Sequence, residues 1–430
     1  MTVKKIIWLW RAGFLAVSFM LLCATGCGHT IWEEVEKEER ELDGSQDTVE
    51  KGAEEHSREE DKVATLCLDL YKEAEEEHTM ADLDTIGRII KRFGDQGYAA
   101  VDSRNQLDMA AAQQVMEFCQ RVEAREEAQA TIVEVDYQGG FIKYDFCTKD
   151  GDVTVTRRRY QYQNGNIVGE AAVSYQAEDW EYTEEGYVMF TGGWPSQELY
   201  ALELSGEEEH AAFRVQPLEE RCRELNRKYV LPVGYGKNNM FLVNWREEDF
   251  GELNFYDLYD IFYEKINGKP VPYVMDDNLG VGAIYQIPKD EFEGVMGTYL
   301  HIDSGTLQSK TTYQSQNSTY EYRPRGFYEI ENPEQPFPEV VDYEENGDKT
   351  ITLTVHVVYP QANDSKVYVH QVVVRPLEDG GVHYVSNQVL SEGEHGEERW
   401  HTPRLTKEAW EEIYGSSDES IRNRDFGQTR

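Results

Sequence analysis

The chain has 430 residues, with 82 Asp and Glu against 42 Lys and Arg and a formal net charge of −40 at pH 7. That balance argues against a nucleic-acid partner and against direct adhesion to an anionic bilayer, since both would repel it. With 40% hydrophobic and 12% aromatic residues, 27 of them tyrosine, the chain can bury a sizeable core and is long enough for two domains.

At the amino terminus Lys4, Lys5 and Arg11 precede an apolar run from Ala12 to Leu22, the positive-then-apolar order of a signal peptide. The run is shorter than the roughly 20 apolar residues that span a bilayer. It ends in Cys23-Ala24-Thr25-Gly26-Cys27-Gly28, which resembles the lipobox of bacterial lipoproteins, where small residues lead to a cysteine that takes a diacylglyceryl group. Ala24 stands where leucine is commonest and Cys23 is unusual one place earlier, but Gly26 is the residue expected before the cysteine. The resemblance implies a lipoprotein signal peptide over residues 1–26 and a lipid attachment site at Cys27. The protein would then sit on the extracytoplasmic face of the cell membrane, and two acyl chains, at about 0.8 kcal/mol per buried CH₂, would hold it there. An ordinary cleaved signal or an uncleaved anchor is the alternative.

Residues 27–62 read as an acidic tether. From Trp32 to Lys62 the chain is rich in Glu, Lys and Arg with hardly any aliphatic residues, so it cannot bury enough surface to offset its ordering entropy. It is either a solvated spacer or an extended polar helix.

A first α+β unit is expected over 63–230. Val63, Leu66, Cys67, Leu70 and Ala74 form the stripe of a core-facing helix. A second helix carries Leu83, Ile86, Ile90 and Phe93, and after a break at Gly94, Gly97 and Asp102-Ser103 a third carries Leu107, Val115, Phe118, Cys119 and Val122. At Ala130 the apolar period changes to two, through Ile132–Tyr137, Phe141–Phe146 and Val153–Val155, with Gly and Asp turns between, which predicts an antiparallel meander. Further strands are expected at Arg157–Gln163, Ile167–Tyr175 and Glu181–Leu204. No helix of crossover length intervenes, so parallel winding is disfavoured. A second α+β unit is expected over 254–390, with helices at Tyr256–Ile266 and Lys289–Leu300 and strands at Thr350–Tyr359, Lys366–Arg375 and Val382–Val389. Residues 391–430 read as a polar carboxy-terminal segment with a short helix.

The runs IPKDEFEGVMGTYLHID (287–303), YEYRPRGFYE (320–329) and VVVRPLEDGGVHYVSNQV (372–389) resemble an uncharacterised Gram-positive bacterial lipoprotein family, a domain of unknown function. The resemblance covers the carboxy-terminal third to half and implies the lipidated, surface-exposed placement, with no catalytic or binding residues to carry over.

Individual sites are weaker. Cys67 and Cys119 read as small buried hydrophobes, with a bridge between them as the alternative; Cys147 and Cys222 fit neither a zinc nor a redox spacing. Residues 342–348 imitate the start of a calcium loop, but its twelfth place is Leu353, so Asn346-Gly347 reads as a hairpin turn. His356, His370 and His383 lie on three successive strands, and a tight connection would put His356 opposite His370, with His383 displaced to face Val374. Polar-face neighbours are the expectation, a shared metal the alternative. His395, Glu397 and His401 lack metalloprotease spacing. Arg323 and Arg325, flanked by Tyr313, Tyr320, Tyr322, Phe327 and Tyr328, could form an anion or carboxylate site, the bland alternative being aromatic core. No catalytic motif, metal site or cofactor signature is present.

The expectation is therefore a membrane-anchored extracytoplasmic lipoprotein acting as a binding or assembly module at the cell envelope, with an envelope protein, peptide or glycan as partner and no nucleic acid. An exposed apolar patch would favour it. The alternative is a cell-envelope hydrolase using acidic residues, which needs two carboxylates converging in a pocket with a raised pKa.

Overall fold

The computed structural model describes residues 62–194, 207–274, 282–330, 332–391 and 400–414. Cys27, the signal peptide, most of the tether, His395 and Glu397 lie outside them. The chain divides into two units, Met1–Leu66 and Cys67–Arg430, and the elements from Leu68 onward belong to the second.

Helices α1 (Leu68–Glu77) and α2 (Leu83–Asp95) bury one stripe each, Leu70, Tyr71 and Ala74 on the first and Ile86, Ile89, Ile90 and Phe93 on the second, the spacing of a core-facing helix. After them the expected break at Asp102-Ser103 is instead the end of a strand. Strand β1 (Ala99–Asp102) is buried along its whole length and pairs in parallel with β2. The buried Asp102 carboxylate closes the following turn by accepting from the N–H groups of Leu107 at 2.8 Å and Gln106 at 3.0 Å and from the Tyr137 hydroxyl at 2.9 Å. Helix α3 (Gln113–Glu123) buries Val115, Phe118, Cys119 and Val122.

The meander follows as β2 (Ala128–Asp136), β3 (Gly140–Lys149) and β4 (Asp152–Gln163), paired antiparallel. The single strand expected over Ile167–Tyr175 is two, β5 (Asn166–Gly169) and β6 (Val173–Gln176), both paired to β4. A second sheet holds β7 (Glu178–Tyr182), β8 (Tyr187–Trp194) and β9 (Glu207–Arg214) in that order. Rings fill the space between the sheets, with Tyr144 and Phe213 centred 5.2 Å apart and Trp180 stacked on Phe190 at 5.5 Å.

Helix α4 (Glu220–Leu225) runs into a π-turn, Asn226–Val230, which the sequence reading missed. The stretch 231–254 is loop except for β10 (Trp245–Arg246), yet it buries Tyr235, Met240, Phe241, Trp245, Phe250 and Leu253. Helix α5 (Phe255–Asn267) starts where the Asn254 side chain accepts from the N–H groups of Tyr256 and Asp257 and ends at Gly268 with φ 65°, a left-handed cap that glycine adopts without strain. Then come β11 (Tyr285–Pro288), α6 (Lys289–Tyr299), α7 (Ser304–Lys310), β12 (Tyr313–Gln314) and β13 (Thr319–Tyr322), the three strands forming a small sheet ordered β11-β13-β12. Strands β14 (Phe337–Glu345), β15 (Ile351–Tyr359), β16 (Asp364–Pro376) and β17 (Val382–Val389) form an antiparallel sheet ordered β10-β17-β16-β15-β14, and α8 (Lys407–Tyr414) follows. The fold class is α+β. Among the described residues no helix is long and apolar enough to cross a membrane.

The two large apolar clusters among the described residues run from Ala99 to Val215 and from Cys222 to Trp400, and a small one joins Ile284 to Trp410 and Tyr414. Between the two large ones Tyr187 and Met189 of β8 pack on Val358 of β15. Beside that contact the buried Arg214 Nη1 lies 2.6 Å from Glu339 Oε2, and the Tyr187 hydroxyl donates to Glu339 Oε1 at 2.8 Å.

Candidate functional site

Several sequence candidates have structural roles. The register of β15 and β16 pairs His370 with Val355 and His356 with Val369, one residue away from the expected alignment. Because side chains alternate along a strand, that single step sends the two imidazoles to opposite faces of the sheet. His383 faces Arg375 rather than Val374. His370 is fully buried, with Nδ1 2.7 Å from Asn387 Oδ1 and Nε2 3.0 Å from the Tyr235 hydroxyl, so it is a core residue and not a polar-face neighbour. The three histidines do not converge.

Arg323 and Arg325 do not stand free for an anion. Arg323 lies 2.6 Å from Glu321 and 3.6 Å from Glu411. Arg325 pairs with Asp257 at 3.1 Å and donates to Thr402 O at 2.7 Å. Asp257 also receives Arg404 at 2.8 Å, Arg404 bridges to Asp260, and the Tyr322 hydroxyl donates to Asp260 at 2.5 Å. This closed network ties the segment before α8 to α5. Cys67, Cys119 and Cys222 are buried thiols, Cys147 is exposed, and none is bridged; burial pushes the Cys67 and Cys119 thiols up to about 12. Residues 346–350 form the hairpin turn between β14 and β15, Asn346 N donating to Thr350 O at 2.8 Å.

Three other features carry unsatisfied chemistry. The first is a groove of about 440 Å³ lined by the loop Leu231–Lys237, by Ile261, Glu264 and Lys265 of α5, and by Gln335–Pro338. Five carbonyl oxygens of that loop are captured by side chains from elsewhere: Val233 O and Gly234 O by Asn238 Nδ2 at 3.2 Å each, Tyr235 O and Gly236 O by His401 Nδ1 at 3.3 and 3.1 Å, and Lys237 O by Arg325 Nη2 at 3.2 Å. Lys265 has no carboxylate within ion-pairing distance among the described residues, and burial lowers its pKa.

The second is a polar cluster between the two amino-terminal sheets. Cross-strand pairing puts Glu134, Tyr144 and Arg157 on one face of β2, β3 and β4. Tyr144 donates to Glu134 Oε2 at 3.2 Å, and Arg157 Nε lies 2.8 Å from Glu209 Oε2 on β9. Desolvation, reinforced by Glu209, raises the Glu134 carboxyl to about 7, and desolvation raises Glu209 as well. The buried Tyr175 hydroxyl has no hydrogen-bond partner among the described residues.

The third is an apolar ridge, Phe327 at 53%, Tyr328 at 63% and Ile330 at 61% exposed, with the ring of Tyr414 6.2 Å from that of Tyr328 and Ile413 exposed beside it. Phe327 and Tyr328 were named from the sequence as binding aromatics or core; they are surface. Lys265, Glu134, Glu209 and Tyr175 were missed. The only advance signs of the first two were the Gly234-Tyr235-Gly236 loop and an acid at an inward position of an alternating strand.

No curated protein and no solved structure matches the chain. A model described as a family of unknown function, DUF6070, matches residues 53–404. The chain therefore belongs to the DUF6070 family.

Proposed function

We propose that the protein is a binding module held on the outer face of the cell membrane by a lipid on Cys27. The ridge Phe327, Tyr328 and Ile330 carries the binding half of this reading, because contiguous exposed apolar side chains mark interaction surfaces and aromatic residues dominate interface energetics. Its occupant is a second envelope protein presenting a basic rim, since a chain of net charge −40 repels acidic surfaces. The anchor half rests on the basic and apolar leader ending at Gly26-Cys27.

A photocrosslinker placed beside Tyr328 in the full-length protein, in intact cells, should capture a discrete partner. Phe327→Ser with Tyr328→Ser should abolish the adduct while leaving thermal unfolding unchanged, each truncation costing on the order of 2 kcal/mol of binding. Capture of residues 415–430 of the same chain, or of a second copy, would overturn the assignment of the occupant. Cys27→Ala should release the protein from the membrane fraction, and the wild type should begin at a diacylated residue 27 by mass spectrometry.

A second reading, a hydrolase acting through Glu134 and Glu209, is favoured by one observation, the raised pKa of two carboxylates on facing sheets, the setting of an acid and base pair. Glycan hydrolysis by the wild type that disappears in both Glu134→Gln and Glu209→Gln would establish it.

A further inference from the structure

We infer that the groove under the loop Leu231–Lys237 is a carboxylate-binding site, taking a terminal monocarboxylate carried on an apolar body. This site is separate from the aromatic ridge and does not depend on it.

The described peptide bonds are trans, and in a trans peptide the carbonyl and the following N–H point in opposite directions. Since Asn238 holds Gly234 O and His401 holds Tyr235 O, the N–H groups of Tyr235 and Gly236 point away from those two side chains, and both residues line the groove. Neither N–H has an acceptor among the described residues. Successive outward backbone N–H groups make an anion-binding concavity, and here side chains from distant parts of the chain hold them in place. Gly234 supplies the bend, with φ 62°, a left-handed conformation suited to glycine.

The fixed charge completes the site. Lys265 lines the same groove with its ammonium 5.8 Å from the centre of the Tyr299 ring and no carboxylate partner among the described residues, in a protein with almost twice as many acids as bases. A half-buried ammonium with no counter-ion is costly, and a bound anion removes that cost. One lysine and two amides match a single negative charge. Exposed Glu264 on the rim penalises a second one, which disfavours phosphate dianions. The remaining walls, Leu231, Ile261, Phe337 and the prolines 232, 336 and 338, are apolar, so the body behind the carboxylate is apolar too. The volume, about 440 Å³, lies within the range of small-ligand sites. A peptide carboxy terminus and a short fatty acid share this chemistry.

The test is calorimetric titration of the full chain in detergent with four probes: an N-acetylated dipeptide acid ending in Phe, its carboxamide, octanoate and inorganic phosphate. We expect the acid to bind at least tenfold more tightly than the carboxamide. Lys265→Met should erase that preference, and Lys265→Arg should retain it, with thermal unfolding followed to show that both variants fold. If octanoate matches the dipeptide acid, the source is a fatty acid; if the dipeptide acid binds and octanoate does not, it is a peptide terminus. Equal binding of acid and carboxamide, preference for phosphate, or no binding of either carboxylate would overturn the assignment. The comparison of acid with carboxamide on the wild type decides the matter even if the Lys265→Met variant does not fold.

Discussion

Two ionisable groups, the buried His370 and the half-buried Glu134, act on stability in opposite directions as pH changes. The Asn387 amide is oriented by its donation to Val243 O at 2.9 Å, so its oxygen faces His370 Nδ1, which must carry the proton. Nε2 then accepts from Tyr235. Burial, opposed by the Asn387 bond, lowers His370 to about 4. The unfolded imidazole titrates near 6.5, so between those values only the unfolded state binds the proton. The contribution of His370, on the order of 3 kcal/mol, is complete above about pH 6.5 and is lost as pH falls toward 4. Glu134 behaves in reverse. Its folded pKa of about 7 lies above the ordinary glutamate value of 4.5, so the folded state holds the proton longer, and the carboxyl costs stability as pH rises between those values. Glu134→Gln should therefore stabilise by on the order of 2 kcal/mol at pH 8 and by almost nothing at pH 4.5, read from urea unfolding at the two pH values. Equal effects at both would show that Glu134 is not desolvated.

At the level of elements, legibility followed locality. The strands from Ile351 to Val389 were readable because apolar residues alternate through Ile351, Leu353, Val355 and Val357 and a turn sits at each end. Strand β1 was not, because Ala99–Asp102 is buried on both faces and shows no alternation, and its partner β2 is joined to it through α3. Helix α4 and its π-turn escaped because Arg221, Arg223 and Arg227 hide the stripe of Cys222, Leu225 and Tyr229. The arginine network was unreadable because its partners are distant in sequence: Arg325 and Arg404 find Asp257 across 68 and 147 residues. That network makes the carboxy-terminal segment part of the fold. Arg404→Met would leave Asp260 with only the Tyr322 hydroxyl and Asp257 with only Arg325. Removing one partner of a buried pair costs about 3–5 kcal/mol. We expect a loss of about that size together with faster proteolysis between Trp400 and Tyr414, whereas the exposed pair Lys91 and Asp95 can be broken for less than about 1 kcal/mol.

The described residues hold two aromatic-rich cores that meet at a junction of mixed apolar and polar contacts. The apolar contact there centres on Tyr187, Met189 and Val358 with Ala212 and Phe337 at its edge; polar links cross beside it, among them Arg223 to Asn105 O and to Asp108 at 2.6 Å each and Ser365 to Glu185 at 2.9 Å, and the ion pair of Arg214 and Glu339 is the one with both side chains buried. Both side chains are buried, at 7% and 6% exposure, and Glu339 is raised by desolvation with Arg214 opposing it. Arg214→Met strands a carboxylate between the cores with only the Tyr187 hydroxyl as donor. The cost should be about 3–5 kcal/mol, and the single unfolding transition should separate into two, visible as non-coincident denaturation curves from tryptophans on either side. The double variant Arg214→Met with Glu339→Met removes both charges and fills the space with apolar atoms, so it should recover most of the loss and restore one transition. If the double variant remains as unstable as the single one, the junction is held by packing around Tyr187 and Val358, and the ion pair only sets the register in which the two sheets meet.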